Sequence, residues 1–152
     1  MRINRSPIAW ALSVIALAAL LVSLFGAVPV SAQTTRYVNP DGNCGGNTPC
    51  YTTITAAITN SSANDTIIVA PANYLENPNI NVAGLTLQSA TMHTAVIQGN
   101  VTVANGADNV TIDGFKLQPL TGWAVEAWWA GNVTISNNHV VGLGPGGAVD
   151  GI

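Results

Sequence analysis

In the stretch Trp123-Ala124-Val125-Glu126-Ala127-Trp128-Trp129, three indoles surround a single carboxylate. Aromatic faces stack on the apolar C–H faces of pyranose rings, and a carboxylate accepts hydrogen bonds from hydroxyls or helps to hold a cation. Trp123, Glu126, Trp128 and Trp129 therefore form a candidate sugar platform. The competing role is packing. An indole is amphipathic enough to fold back over neighbouring backbone, and one or two of the three are expected to do so, while a lone Glu on a strand is commonly only solvated.

Other titratable groups are scattered. Asp113 precedes Gly114, a setting in which an Asp is most simply a turn residue bonded to its own backbone, and His93 and His139 read as polar surface residues. From Gln33 onward the only bases are Arg36 and Lys116, against seven acids. That balance argues against nucleic acid or an anionic membrane surface as a partner.

The elements that must position these groups are visible as a repeat. Asn109-Val110-Thr111-Ile112 returns unchanged as Asn132-Val133-Thr134-Ile135, and the same alternation occurs earlier as Leu85-Thr86-Leu87, at offsets of 25 and then 23 residues. So short a period, rich in Val, Ile, Thr, Asn and Gly and without helical spacing, belongs to a solenoid of strands and turns. Each repeat offers three places where two inward residues bracket one outward residue. A first ladder runs Ile80/Val82, Val101/Val103, Val125/Ala127; a second runs Leu85/Leu87, Val110/Ile112, Val133/Ile135; a looser third holds Val96, Phe115/Leu117 and Val140. The expected fold is all-β, a parallel β-helix with three strands per coil and about 21–25 residues per coil. Coils stack about 4.8 Å apart, and each inward aliphatic contributes roughly 1.5–3 kcal/mol when fully buried. On this register the outward residues of the first ladder are Asn81, Thr102 and Glu126, with Trp123 just before its third strand and Trp128-Trp129 just after it.

Ahead of the coils, Ile54, Ala57 and Ile58 share one helical face, and a short capping helix there would cover the open hydrophobic end of the solenoid. Tyr51-x-Thr53-Ile54-x-x-Ala57-Ile58 followed by Asp65-Thr66-Ile67-x-Val69-x-Pro71 resembles the start of right-handed parallel β-helix proteins of the pectin-lyase-like superfamily. The resemblance runs from Tyr37 to the last residue and implies the fold, but the superfamily holds lyases, hydrolases, esterases, tailspikes and surface proteins without a demonstrated reaction, so it implies no single activity. In the resembled enzymes the polysaccharide lies along one sheet. Asp150, within Gly146-Gly147-Ala148-Val149-Asp150-Gly151, resembles the acidic lead into the calcium site of pectate lyases. Calcium takes six to eight oxygens, and Glu126 is the only other donor in view, so no cofactor is expected although calcium is conceivable. Lyases of this type use a basic residue as proton acceptor, and Arg36 and Lys116 both fall away from the Trp-rich face. Hydrolases and methylesterases use clustered aspartates, whereas Glu126, Asp113 and Asp150 fall on different ladders or corners.

Residues 1–32 read as an export signal. Arg2 and Arg5 precede the apolar run Ile8 to Val28, and Val30-Ser31-Ala32 supplies the small residues of a cleavage site. The run is also long enough to serve as an uncleaved anchor. In an exported chain, Cys44 and Cys50 around Gly45-Gly46-Asn47-Thr48-Pro49 read as a disulfide stapling a loop; a metal site would need more ligands than the nearby Asp41. The expected organisation is a cap over residues 33–64 with the disulfide loop and the short helix, then coils over 65–152. Ile152 falls where a further strand would begin, so the coils are expected to continue beyond it. Five Asn-x-Ser/Thr matches, such as Asn132-Val133-Thr134, mostly restate the repeat.

Two functions fit: a secreted or surface-displayed monomer that binds a polysaccharide or cell-surface glycan or serves as a scaffold, and a lyase or hydrolase of uronate-containing polymers with its active coil downstream. The register itself is testable. Val110→Asp or Ile112→Asp should abolish secretion of folded protein by burying a charge, and normal yield with unchanged circular dichroism would refute the ladders given above.

Overall fold

The computed structural model describes residues 32–142; residues 1–31, expected to form most of an export signal, and Asp150 fall outside the described residues. The chain winds as a parallel β-solenoid of about three turns with one short helix. Strands β1 (Thr35–Val38) and β2 (Cys50–Tyr51) come first, then helix α1 (Ile54–Thr59). The first coil holds β3 (Thr66–Val69), β4 (Ala72–Tyr74) and β5 (Asn79–Ile80); the second, β6 (Thr86–Ser89), β7 (Ala95–Ile97) and β8 (Val101–Val103). The third holds β9 (Thr111–Asp113), β10 (Lys116–Leu117) and β11 (Val125–Ala127), and β12 (Thr134–Ser136) and β13 (His139–Val140) begin a fourth.

Three parallel sheets result, ordered β2-β1-β3-β6-β9-β12 (sheet A), β4-β7-β10-β13 (sheet B) and β5-β8-β11 (sheet C). Every pairing is parallel, so like positions stack. On the outside of sheet A the threonine column is longer than the repeat suggested: Thr35, Thr66, Thr86, Thr111 and Thr134 are in register. Inside, Ile67, Leu87, Ile112, Ile97, Leu117, Val101, Val103 and Phe115 are fully buried. The second ladder runs as expected from Leu87 through Ile112 to Ile135.

Two sequence expectations shift. In the first ladder, Asn79 pairs with Thr102 and Ile80 with Val103, so the inward pair of the first coil is Pro78/Ile80 and the outward residue is Asn79, not Asn81. The slip is two residues and keeps the faces. Asn77 sets it, because its Oδ1 accepts the Asn100 N–H at 2.9 Å and aligns the two corner asparagines. In the third ladder Val96 faces outward, level with Lys116, while Ala95 and Ile97 are buried; a displacement of one residue exchanges the faces. Phe115, just before Lys116, stands level with Ala95, and both are buried. Thr35–Val38, within the stretch expected as the cap, pairs with β3 and extends sheet A.

The coil phase is set at corners where the backbone takes positive φ. Before sheet A the residues are Asn64 (68°), Gly84 (71°), Asn109 (59°) and Asn132 (55°); between sheets A and B they are His93 (61°), Gly114 (76°) and Asn137 (52°). Asn and Gly enter this region at the least steric cost. At Gly84 a Cβ would also run into the Asn64 side chain.

The N-terminal end is closed by polar as well as apolar groups. Ile54, Ala57 and Ile58 of α1 are buried, as their spacing predicts, and Thr53 caps the helix by accepting the Ala56 N–H at 3.1 Å. Glu76 adds a second cap from the first coil: its carboxylate accepts the N–H groups of Ile54 (3.0 Å) and Thr55 (2.9 Å). Asp65 and Arg36 occupy inward positions of sheet A. Asp65 is level with Leu85 and Val110, and Arg36 with Ile67. The fully buried Asp65 carboxylate receives Arg36 Nη2 at 2.9 Å and Nε at 3.0 Å, and the N–H groups of Thr34 (2.7 Å) and Ser62 (2.8 Å). Arg36 Nη1 also donates to the Tyr51 hydroxyl at 3.1 Å. Burial alone would raise the Asp65 pKa; the two backbone N–H groups and Arg36 outweigh it and hold it below 3.8.

The sign follows from linkage. The Asp65 pKa is lower in the folded chain than in the unfolded one, so its stabilisation is complete above about pH 4 and is lost as pH falls from there through the depressed folded value. Asp65→Asn should cost about 3–5 kcal/mol near neutral pH, because it strands the Arg36 charge, and should remove this share of the acid sensitivity. Urea unfolding of both proteins at neutral and acidic pH measures it; equal midpoints at neutral pH would refute the role.

Candidate functional site

The Trp-bearing residues flank β11, the third strand of sheet C. Val125, Glu126 and Ala127 pair with Val101, Thr102 and Val103, so Glu126 stands outward in the column Asn79, Thr102, Glu126. Trp123 lies on the corner before this strand. That corner is expanded: residues 118–124 join β10 to β11, where residues 98–100 join β7 to β8 one coil earlier. An enlarged corner on a regular solenoid is where side chains are free to serve something other than the stack. Asn100 holds the enlargement in place, its Nδ2 donating to the carbonyls of Thr121 and Trp123, both at 2.6 Å. Gly122, at φ 65°, makes the turn between them.

Trp123, Val125, Glu126, Ala127 and Trp128 line one open depression of about 190 Å³. Trp123 is 53% exposed and Trp128 62%. Trp129 is 84% exposed, has φ 61° and does not line the depression. Of the four candidates, three therefore meet and the fourth stands beside them. Among the described residues all three indoles are more than half exposed.

The other candidates lie elsewhere. Asp113 ends β9 and does not bond its own backbone; its Oδ1 accepts Ser136 Oγ at 2.7 Å and Asn137 Nδ2 at 2.8 Å, tying the third coil to the fourth. Position in the stack, not turn chemistry, decides its partners. Lys116 faces outward on sheet B, level with His139. The His93 and His139 rings meet edge to face at 5.6 Å, and His93 Nε2 lies 2.8 Å from the Asn137 carbonyl oxygen. Arg36 is consumed by Asp65. Among the described residues no three His, Cys, Asp or Glu side chains cluster as metal ligands. Cys44 and Cys50 are joined in a disulfide, and its loop leans over the outer face of sheet A, enclosing about 290 Å³ with Tyr37, Asn39, Asn43 and Ile68 among the lining residues. Burial and the neighbouring Glu76 and Asp41 charges push the Tyr74 phenol up to about 12, so it stays a neutral donor to the Ala70 carbonyl at 2.9 Å.

Sequence reasoning missed Asn100 and Glu76. Asn100 could have been found, since Asn77 and Asn100 both stand immediately before an inward position of sheet C; Glu76 gives no local signal, because its partners are the backbone N–H groups of a helix some twenty residues earlier.

The sheets and corners define a parallel β-solenoid. Compared with protein-family models, with curated proteins and with solved structures, the chain matches none. Among the described residues no helix is long and apolar enough to cross a membrane.

Asn100→Ala should free the Trp123 corner while leaving the stacked core intact. The expected outcome is a red shift and easier iodide quenching of tryptophan fluorescence with a loss of about 1–2 kcal/mol in stability; unchanged quenching would show that the corner is held by other contacts.

Proposed function

We propose that this chain is an exported, glycan-binding member of the right-handed β-helix class typified by the pectin-lyase-like proteins, and that it takes a sugar on the outer face of sheet C. The observation that carries the reading is the pair of exposed indoles, Trp123 and Trp128, on either side of Glu126 in a single depression. Leaving two indoles in water forfeits a large burial term, and exposed aromatic surface beside polar groups is the usual mark of a binding face. A pyranose ring is matched to such a place, apolar on its C–H faces and polar at its rim. The likeness of residues 51–58 and 65–71 to β-helix leaders supports the class, and the apolar segment after Arg2 and Arg5 supports export.

Lyase or hydrolase chemistry finds less support in the described coils. Arg36 is bound to Asp65, Lys116 lies on sheet B, and no second acid lines the depression with Glu126 among the described residues.

Trp128→Ala should weaken binding at least tenfold on a glycan array or by titration with soluble oligosaccharides, while circular dichroism stays unchanged. Retained affinity with a folded variant would remove the platform.

A further inference from the structure

We infer that the depression selects a sugar bearing a protonated amine, a glucosamine-type residue, over neutral and uronate sugars; this rests on the glycan-binding reading above and specifies its ligand.

Six of the seven acids lie among the described residues, and five have work inside the fold. Asp41 accepts the Asn43 N–H at 2.7 Å, Asp65 pairs with Arg36, and Glu76 caps α1. Asp108 accepts the Gly131 N–H at 2.7 Å, and Asp113 binds Ser136 and Asn137. Glu126 is the exception: its carboxylate makes no hydrogen bond or ion pair among the described residues. It is also the one placed between two exposed indoles.

A carboxylate beside aromatic faces is complementary to an ammonium group. The indole quadrupole attracts a cation lying over its face, and the carboxylate supplies the counter-charge. A neutral hydroxyl would gain only an ordinary hydrogen bond. A uronate would bring a second carboxylate to Glu126 with no cation to offset it, since no Lys or Arg lines the depression and Arg36 and Lys116 are committed to sheets A and B. The whole chain is anionic as well, at −3, the same sign as a polyuronate. The choice of ligand thus runs opposite to the uronate substrates that the sequence resemblance suggests.

The test is calorimetric titration of the secreted chain at mildly acidic pH, where the sugar amine holds its proton, with a glucosamine oligomer, its N-acetylated counterpart and an oligogalacturonate. The glucosamine oligomer should bind about tenfold or more tightly than the N-acetylated one, and added salt should narrow the gap. Glu126→Gln should bring the two close to parity, lowering the affinity for the glucosamine oligomer by a larger factor than that for the N-acetylated one. Equal binding of amine and N-acetyl forms by the parent chain, or preference for the oligogalacturonate, overturns this inference and leaves the glycan-binding reading standing. Binding of none of the three overturns both.

Discussion

Everything in this solenoid depends on each coil returning to the same phase. A parallel ladder places like residues on one another, and a slip of one residue would turn an entire face from core to solvent. The device that prevents it is the pair of corners at which the backbone takes positive φ. Asn64, Gly84, Asn109 and Asn132 form one such column, and His93, Gly114 and Asn137 the other. Hydrogen bonds then run from corner to corner: Asn64 N–H to the Ala83 carbonyl, Gly84 N–H to Asp108, Asn109 N–H to Gly131. With the phase held, the buried Ile, Leu and Val columns follow from simple alternation, and the polar stretches between them are free to vary in length.

That freedom explains where recognition can arise. Expanding the corner before β11 leaves the inward pair Val101 and Val125 in register yet lifts Trp123 out of the stack. The rigid sheet supplies Glu126 and Thr102 at fixed positions, and Asn100 ties the added residues down through two carbonyls. A face built this way is pre-organised, its added residues tied to the sheet by Asn100.

How much of this was legible in the sequence divides by the range of the signal. The second ladder was readable because Asn-Val-Thr-Ile recurs almost verbatim, and the helix because Ile54, Ala57 and Ile58 have helical spacing. The first coil was harder: Ile80/Val82 looks like an inward pair by local alternation, and only the match of Asn77 to Asn100 reveals Pro78/Ile80. Val96 misled for a similar reason, since Ala95 beside it is small and unobtrusive although it, level with Phe115, is the inward member. The Arg36–Asp65 pair was concealed because Asp65 reads as part of a turn. Aligning Asp65-Thr66-Ile67 with Leu85-Thr86-Leu87 would have placed a carboxylate in a hydrophobic column, and a buried carboxylate demands a nearby cation. The meeting of Trp123, Glu126 and Trp128 was legible as proximity along the chain, whereas the isolation of Glu126 among the described residues emerges only when the other five described acids have found their partners.

One side chain couples coils that are not neighbours. His93 leaves the corner of the second coil, where its own N–H bonds the Gly114 carbonyl of the third, and its ring reaches the Asn137 carbonyl of the fourth. Stacked repeats ordinarily melt as a chain of nearest-neighbour units, each lost independently of all but the one beside it. A second-neighbour link changes that arithmetic. Fraying of the fourth coil therefore also costs the second one contact, so loss of the last turn is felt two turns back and not only in its immediate neighbour.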